Sequence, residues 1–359
     1  MTETNAQNFP VHPTHGPFVK EGLMIAFPLC FPGMTDPIPL EESRITALAL
    51  GPMGVLYGGT SGKVAHVFAA YFKGPTGAVW DLGLIDGATD CVGVACGDNC
   101  LVAAVNGPDG SRIVSRQVET VPDFDLLQEW SFIRRPYREL EWELADERIL
   151  DLVGIPGSAQ AIGISEHHVF CVDIDRGRCE VIGAVDAIAH VMAGSDGTVY
   201  GLDAGESLWS FHPTTQQLTS WAVALPPGVW SQATLVWTCD PGTGAFYLAD
   251  PIGNLYLFLP GSPVRSLGMK VPMAPVRCMA VVPDGRIYGF CGDQIEHLFV
   301  VDPTAKTVSN LGVAVSVIER RRYGYRFSAA LTNLDGHVFF GENDNLGHLW
   351  IYFPTLKKR

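Results

Sequence analysis

The chain lacks any stretch approaching the roughly 20 consecutive apolar residues that cross a bilayer. Its first residues, MTETNAQNFPVHPTHGPF, carry no cationic region leading into an apolar core. They do not read as a secretory signal, so a cytoplasmic location is expected. Positive charge is scarce: 24 Lys and Arg stand against 38 Asp and Glu, a net charge of −14. That excludes a general nucleic-acid binder, which needs basic patches for phosphates, and removes any attraction to an anionic membrane. No two of the nine cysteines form a CxxC pair, and the count is odd. Several lie in strand-like runs such as DCVGVACG, VFCVDI and VRCMAVV, where a reduced cysteine packs as a small apolar residue. The GxGxxG dinucleotide pattern, the P-loop, HExxH and GxSxG are all missing. No cofactor is expected, although a metal ion in a central channel stays open.

What is present is repetition. The 359 residues are 47% hydrophobic and only 17% charged, enough apolar material for a large core. Thirty-nine glycines and 25 prolines are spread along the chain, which favours many turns and short strands over long helices. The repeating unit runs apolar strand, Asp-Gly turn, strand with an aromatic-Gly pair, polar loop, strand, Asp-Pro-type turn, strand. Residues 275–312 show it in full, from VRCMAVV through PDGRIYGF to HLFVVDPTAKTVSNLG. Asp-Gly supplies the positive φ of a tight hairpin, and Pro or Asp presets the second turn. Tyr200, Tyr247, Tyr288 and Phe339 occupy equivalent places in second strands, 47, 41 and 51 residues apart. Tyr57 is a fifth, and the gap before Tyr200 holds two weakly marked units around CLVAAVN and AQAIGIS.

Seven such units predict an all-β chain, a seven-bladed β-propeller of four-stranded antiparallel blades. A solenoid is the structural alternative. The ends of the chain favour the ring: the last unit supplies three strands, and FVKEGLMIAFP (Phe18–Pro28) supplies a spare one to complete that blade and hide a sheet edge. The domain reading is an N-terminal arm over residues 1–17, one propeller over 18–354, and a tail over 355–359. An insertion-like segment, 123–149, is denser in charge than its surroundings and is expected to hold a short helix.

Strand direction alone sorts the loops. With strands named A to D outwards from the axis, the A–B and C–D turns share one face. The B–C loops and the D-to-A connections share the other, which collects GGTSGKVAH, CGDQIEH and GENDNLGH, and binding groups belong on such loops. ERRRYGYR (Glu319–Arg326) lies there, just before the inner strand of the last blade. Arginine forks grip carboxylate or phosphate, and tyrosine can donate or move a proton. The candidate substrate-binding residues are Arg322, Arg326, Arg134, Glu342 and Asp344, and the candidate catalytic residues are Tyr323, Tyr325 and His348. The solvated-rim reading of the arginines stays open beside this. His66, His168, His297 and His348 each open a third strand, in a slot that Ser207 and Asn254 fill elsewhere, so His66 reads as a polar strand-start residue.

The Tyr-Gly-Gly-Thr, His-Val/Leu-Phe and Asp-Pro-x-Thr grammar resembles the broad seven-bladed propeller superfamily that includes kelch-like and quinoprotein-like repeats, over roughly residues 18–354. Members similar to this chain include polysaccharide lyases and related glycan-active enzymes. The resemblance implies an arginine neutralising a uronate carboxylate, with tyrosine or histidine driving β-elimination; Arg322, Tyr323, Tyr325, Arg326 and His348 are the residues to take those roles. The functional expectation is a polar funnel for a small anionic or sugar-like ligand, with lyase or hydrolase chemistry in its enzymatic form. The alternative is a non-catalytic platform, or a subunit of a larger complex, that receives a protein partner on the B–C loop face.

Overall fold

The structure, a computed structural model, describes residues 21–29, 37–118, 135–186, 190–204, 207–221, 236–293, 295–316 and 323–357. Among them lie five separate four-stranded sheets and one eight-stranded sheet. The separate sheets span residues 44–85, 192–221, 236–270, 276–313, and 327–353 together with 23–28, each antiparallel outwards from an inner strand. The eight-stranded sheet spans residues 90–184. Its two halves begin at the inner strands Asp90–Cys96 and Ile149–Gly154, which meet at one parallel pair, Leu152 with Gly93. In the described part of the 123–149 segment the expected helix is absent. Residues 135–149 instead carry the two-residue strand Arg138–Glu139, which pairs with Gly110–Gln117 as the outer strand of its half-sheet.

The last sheet closes as its composition requires. Phe327–Thr332, Val338–Glu342 and His348–Phe353 are joined by Leu23–Pro28, with Leu23 opposite Phe353 and Pro28 opposite His348. The N-terminal strand therefore covers an edge that would otherwise expose a row of unpaired backbone groups. A clasp holds the junction from outside. Arg286, 5% exposed, pairs with Asp284 at 2.7 Å and donates to the Thr355 carbonyl at 2.6 Å, with Glu21 3.7 Å away.

The aromatic-Gly grammar has a packing cause. Gly58, Gly163, Gly201 and Gly289 lie in second strands directly opposite Phe68, Phe170, Trp209 and Phe299 of third strands. Those four rings are fully buried and fill the space a β-carbon on the glycines would take. Apolar clusters between adjacent sheets then form the core, as where Tyr57 and Val67 meet Cys91 and Val105. The cysteines join in as expected: the eight described are all free, and burial pushes the Cys91 thiol up to about 12.

Candidate functional site

The third-strand histidines prove to be clamps within the fold. His66, 4% exposed, lies between Asp81, 3.2 Å from Nδ1, and Glu42, 3.1 Å from Nε2. Burial works against its imidazolium, but the two carboxylates outweigh that and hold it above the usual histidine range. His168 meets Glu147 at 2.7 Å, and His297 meets Asn310 at 3.1 Å. His348, 2% exposed, has Nδ1 2.9 Å from Glu342, whose side chain is fully buried. Each slot ties a third strand to a nearby polar partner.

A second group of polar contacts joins neighbouring sheets and the two halves of the eight-stranded one. Thr46 donates to the Cys91 carbonyl at 2.6 Å, and Ser328 donates to that of Ile45 at 2.8 Å. Asn106 exchanges two bonds with the backbone of Ile149, both 2.9 Å. Asp151 accepts from the Val191 N–H at 3.0 Å, and Glu296 from the Phe327 N–H at 2.8 Å. Glu296 is 1% exposed, and burial pushes its carboxyl up to about 7 even with the backbone bonds and Arg277 favouring the anion.

These contacts frame a central channel of about 1700 Å³, lined by inner strands from every sheet. Its wall mixes apolar strand residues with polar ones, and the charges are few. Arg44, Arg277 and Arg326 lie at or beside the first residues of three inner strands, Arg44–Leu50, Val276–Val281 and Phe327–Thr332, which are neighbours round the axis. They share the B–C loop end, where Asp293 and Asn343 also reach the channel. Arg277 is anchored by Glu296 at 2.9 Å and Asp293 at 3.1 Å, and Arg44 by the Ser61 carbonyl at 3.2 Å. Arg326 is exposed and sits at φ +51°, in the left-handed region. The backbone around it is gripped on both sides: Glu342 accepts from the Tyr325 N–H at 2.8 Å, and the Arg326 carbonyl accepts from Asn343 N–H at 2.8 Å. Such strain persists only where the surroundings over-determine it. Two buried carboxylates, Glu296 and Glu342, supply that constraint from adjacent sheets.

The residues named from the sequence are thus brought partly together. Arg326 lines the channel; Glu342 and His348 support it from beneath; and Asp344 accepts from the Leu346 and Gly347 N–H groups to close its loop. Tyr323 and Tyr325 are 41% and 39% exposed and do not figure in the channel lining; Tyr323 bridges to Val315. The donor atoms of Glu342, Asp344 and His348 lie within 4.8 Å of one another, close enough to hold a cation, although each residue already has work in the loop. Arg322 and Arg134 lie outside the described residues. Arg44, Arg277, Asp151 and His190 escaped the sequence reading. Their only signal was a charge set inside an inner-strand run, as in SRITALAL, VRCMAVV, ILDLVG and IAHVMAG.

No protein-family model and no curated protein matches the chain. Solved structures do. The chain superposes on a catalytically inactive virginiamycin B lyase from Staphylococcus aureus with quinupristin at a TM-score of 0.60 and 9% identity, covering 92% of this chain and 99% of the other. Superposition on YCF48 bound to D1 peptide gives a TM-score of 0.61 and 11% identity, with 94% and 99% covered. YCF48 from Cyanidioschyzon merolae gives 0.61 at 9% identity, over 92% and 99%. The chain is a β-propeller. The expected all-β architecture of four-stranded antiparallel blades is therefore correct, and identities this low carry the propeller fold and nothing more. No helix among the described residues is long and apolar enough to cross a membrane.

Proposed function

We propose that this propeller has seven blades, the eight-stranded sheet counting as two that touch at Leu152 and Gly93, and that residues 18–354 form one unit. Its B–C loop mouth binds a small anionic ligand, sugar acids included. The observation that carries this is the arc of Arg44, Arg277 and Arg326 at one end of the channel. Guanidinium forks suit carboxylate or phosphate oxygens, and a concave apolar wall strengthens such contacts by excluding water. Net charge is strongly negative, and at this mouth Arg277 is held in place by Glu296 and Asp293 while Arg44 and Arg326 stand on either side of the next junction. In its enzymatic form the site holds a carboxylate for lyase or hydrolase chemistry. The free cysteines fit a reducing, cytoplasmic setting.

The test is calorimetric titration with citrate, galacturonate and glucose. Both acids should bind and the neutral sugar should bind far more weakly. Arg326→Ala should weaken the acids by about ten- to a hundredfold, as losing one charge-assisted contact does. Equal affinity for glucose and galacturonate would overturn the reading.

A second reading, the interaction platform, rests on a different observation. Leu40, Tyr323, Tyr325 and Leu346 stand 57%, 41%, 39% and 40% exposed on the same face as the arginines. Such a rim suits an acidic segment of a protein partner, and the YCF48 structure with D1 peptide shows a protein of this fold holding a peptide.

A further inference from the structure

The wall that faces the arginines holds one titratable pair. His190 directly precedes the Val191 backbone that Asp151 anchors, and both His190 and Asp151 line the channel. The Asp151 carboxylate accepts from Leu152 N–H at 2.8 Å and from Val191 N–H at 3.0 Å, so its position is fixed by the junction of two inner strands. His190 Nδ1 lies 3.6 Å from Asp151 Oδ2. With Nδ1 turned to the carboxylate, Nε2 is the ring's remaining proton-exchanging atom, and the side chain is 54% exposed.

The backbone gives a second, independent sign. Among the described residues, non-glycine positions with positive φ are Glu41, His190, Gln216, Lys306 and Arg326. Gln216 and Lys306 belong to third-to-fourth-strand turns, where the left-handed conformation closes the hairpin. His190, at φ +80°, and Arg326, at φ +51°, are the two that line the channel. Positive φ is uncommon for any residue but glycine, and histidine is among the side chains that tolerate it, so the backbone turns at a residue that can also bring an imidazole to the channel.

We propose that His190, positioned by Asp151, is the proton-exchanging group of the channel, working on a ligand whose anionic group lies on Arg44, Arg277 and Arg326. This rests on the anion-binding reading of the mouth and adds the chemistry of the opposite wall. The ligand class is a hydroxy acid: one oxyanion for the arginines and one hydroxyl for His190. In the exchange the hydroxyl proton passes to the Nε2 lone pair, the O–H bonding pair stays on the ligand oxygen, and Asp151 balances the imidazolium. Return of the proton restores the neutral ring. The groups facing His190 are Asp151 beside it and, from the other inner strands and loops, Arg44, Arg277, Asp293 and Arg326, with Asp240 at the far end of the channel. The channel walls around the half-exposed ring desolvate it and work against the imidazolium, but Asp151 outweighs that and raises His190 above the usual histidine value.

Carbethoxylation with diethylpyrocarbonate, mapped by mass spectrometry on the intact chain, tests this without a known substrate. Only neutral imidazole reacts. His190 should be modified along a pH profile centred above that of a free histidine, and Asp151→Asn should move the profile to lower pH. Citrate should slow the reaction at His190 at least fivefold in the wild type and not in Arg326→Ala. His190→Asn, which keeps a side chain tolerant of positive φ, should remove the modified peptide and weaken citrate by a smaller factor than Arg326→Ala does. Citrate that binds by calorimetry yet leaves His190 reactive would overturn this proposal and leave the arginine site standing. Citrate that fails to bind at all would overturn both.

Discussion

At the scale of single residues, burial decides what each ionisable group can do. His66 is enclosed between Glu42 and Asp81, and its folded-state titration lies above the ordinary value. A group raised in the folded state stabilises fully below its unfolded value, about 6.5, and that contribution is lost as pH rises through the folded value. The stability gap between wild type and Glu42→Gln should therefore shrink as urea denaturation is repeated from pH 6 to 9. Glu296 obeys the same sign. Its carboxyl is pushed up to about 7, so wild-type stability should fall between the unfolded value near 4.5 and neutral pH. The slope should approach about 1.4 kcal/mol per pH unit, and Glu296→Gln should flatten it. An unchanged slope in that variant would place the proton elsewhere. His348 illustrates a limit of residue-type reasoning: the side chain has the right chemistry for proton transfer, but at 2% exposure it touches Glu342 and not the channel.

At the scale of strands, the repeat was legible because its turns and its glycines do local work that leaves a local trace. Asp-Gly and Asp-Pro mark hairpins, and the glycine of each Tyr-Gly or Ile-Gly pair sits beneath an aromatic ring seven to ten residues on. Gly163→Ala would place a methyl inside the Phe170 ring. It should cost about 1–3 kcal/mol in denaturant unfolding, and Phe170→Leu should relieve part of that cost in the double variant. The channel charges left no comparable trace. Arg44, Asp151 and Arg277 are single polar residues in three different strands, and His190 stands just before a fourth. Only closure of the ring makes them neighbours, and no periodicity along one strand encodes that. The strand Arg138–Glu139 was missed for a related reason, since two residues are too short to show alternation.

For the whole molecule, the clasp at the chain ends is the exposed point. Arg286→Ala would leave Asp284 buried at 3% side-chain exposure with its charge uncompensated, and would free the Thr355 carbonyl. A loss of about 3–5 kcal/mol is expected, visible as a lower Tm and faster proteolysis near Leu23–Pro28. A variant that melts like the wild type would show that strand pairing alone secures the ring. The arginine arc belongs to this scale too: its affinity for citrate should fall steeply between 0.05 and 0.5 M salt, because the contacts are electrostatic.

The pairing of Leu23–Pro28 with His348–Phe353 also sets an order of events during synthesis. The first strand of the described chain leaves the ribosome long before the strand it pairs with exists. Until that partner arrives, Met24, Ile25 and Ala26, each 2% exposed in the folded protein, are open to solvent beside an incomplete ring. Every nascent chain therefore passes through a stage with sticky edges at both ends, in which the spare strand of one molecule can complete the last sheet of another.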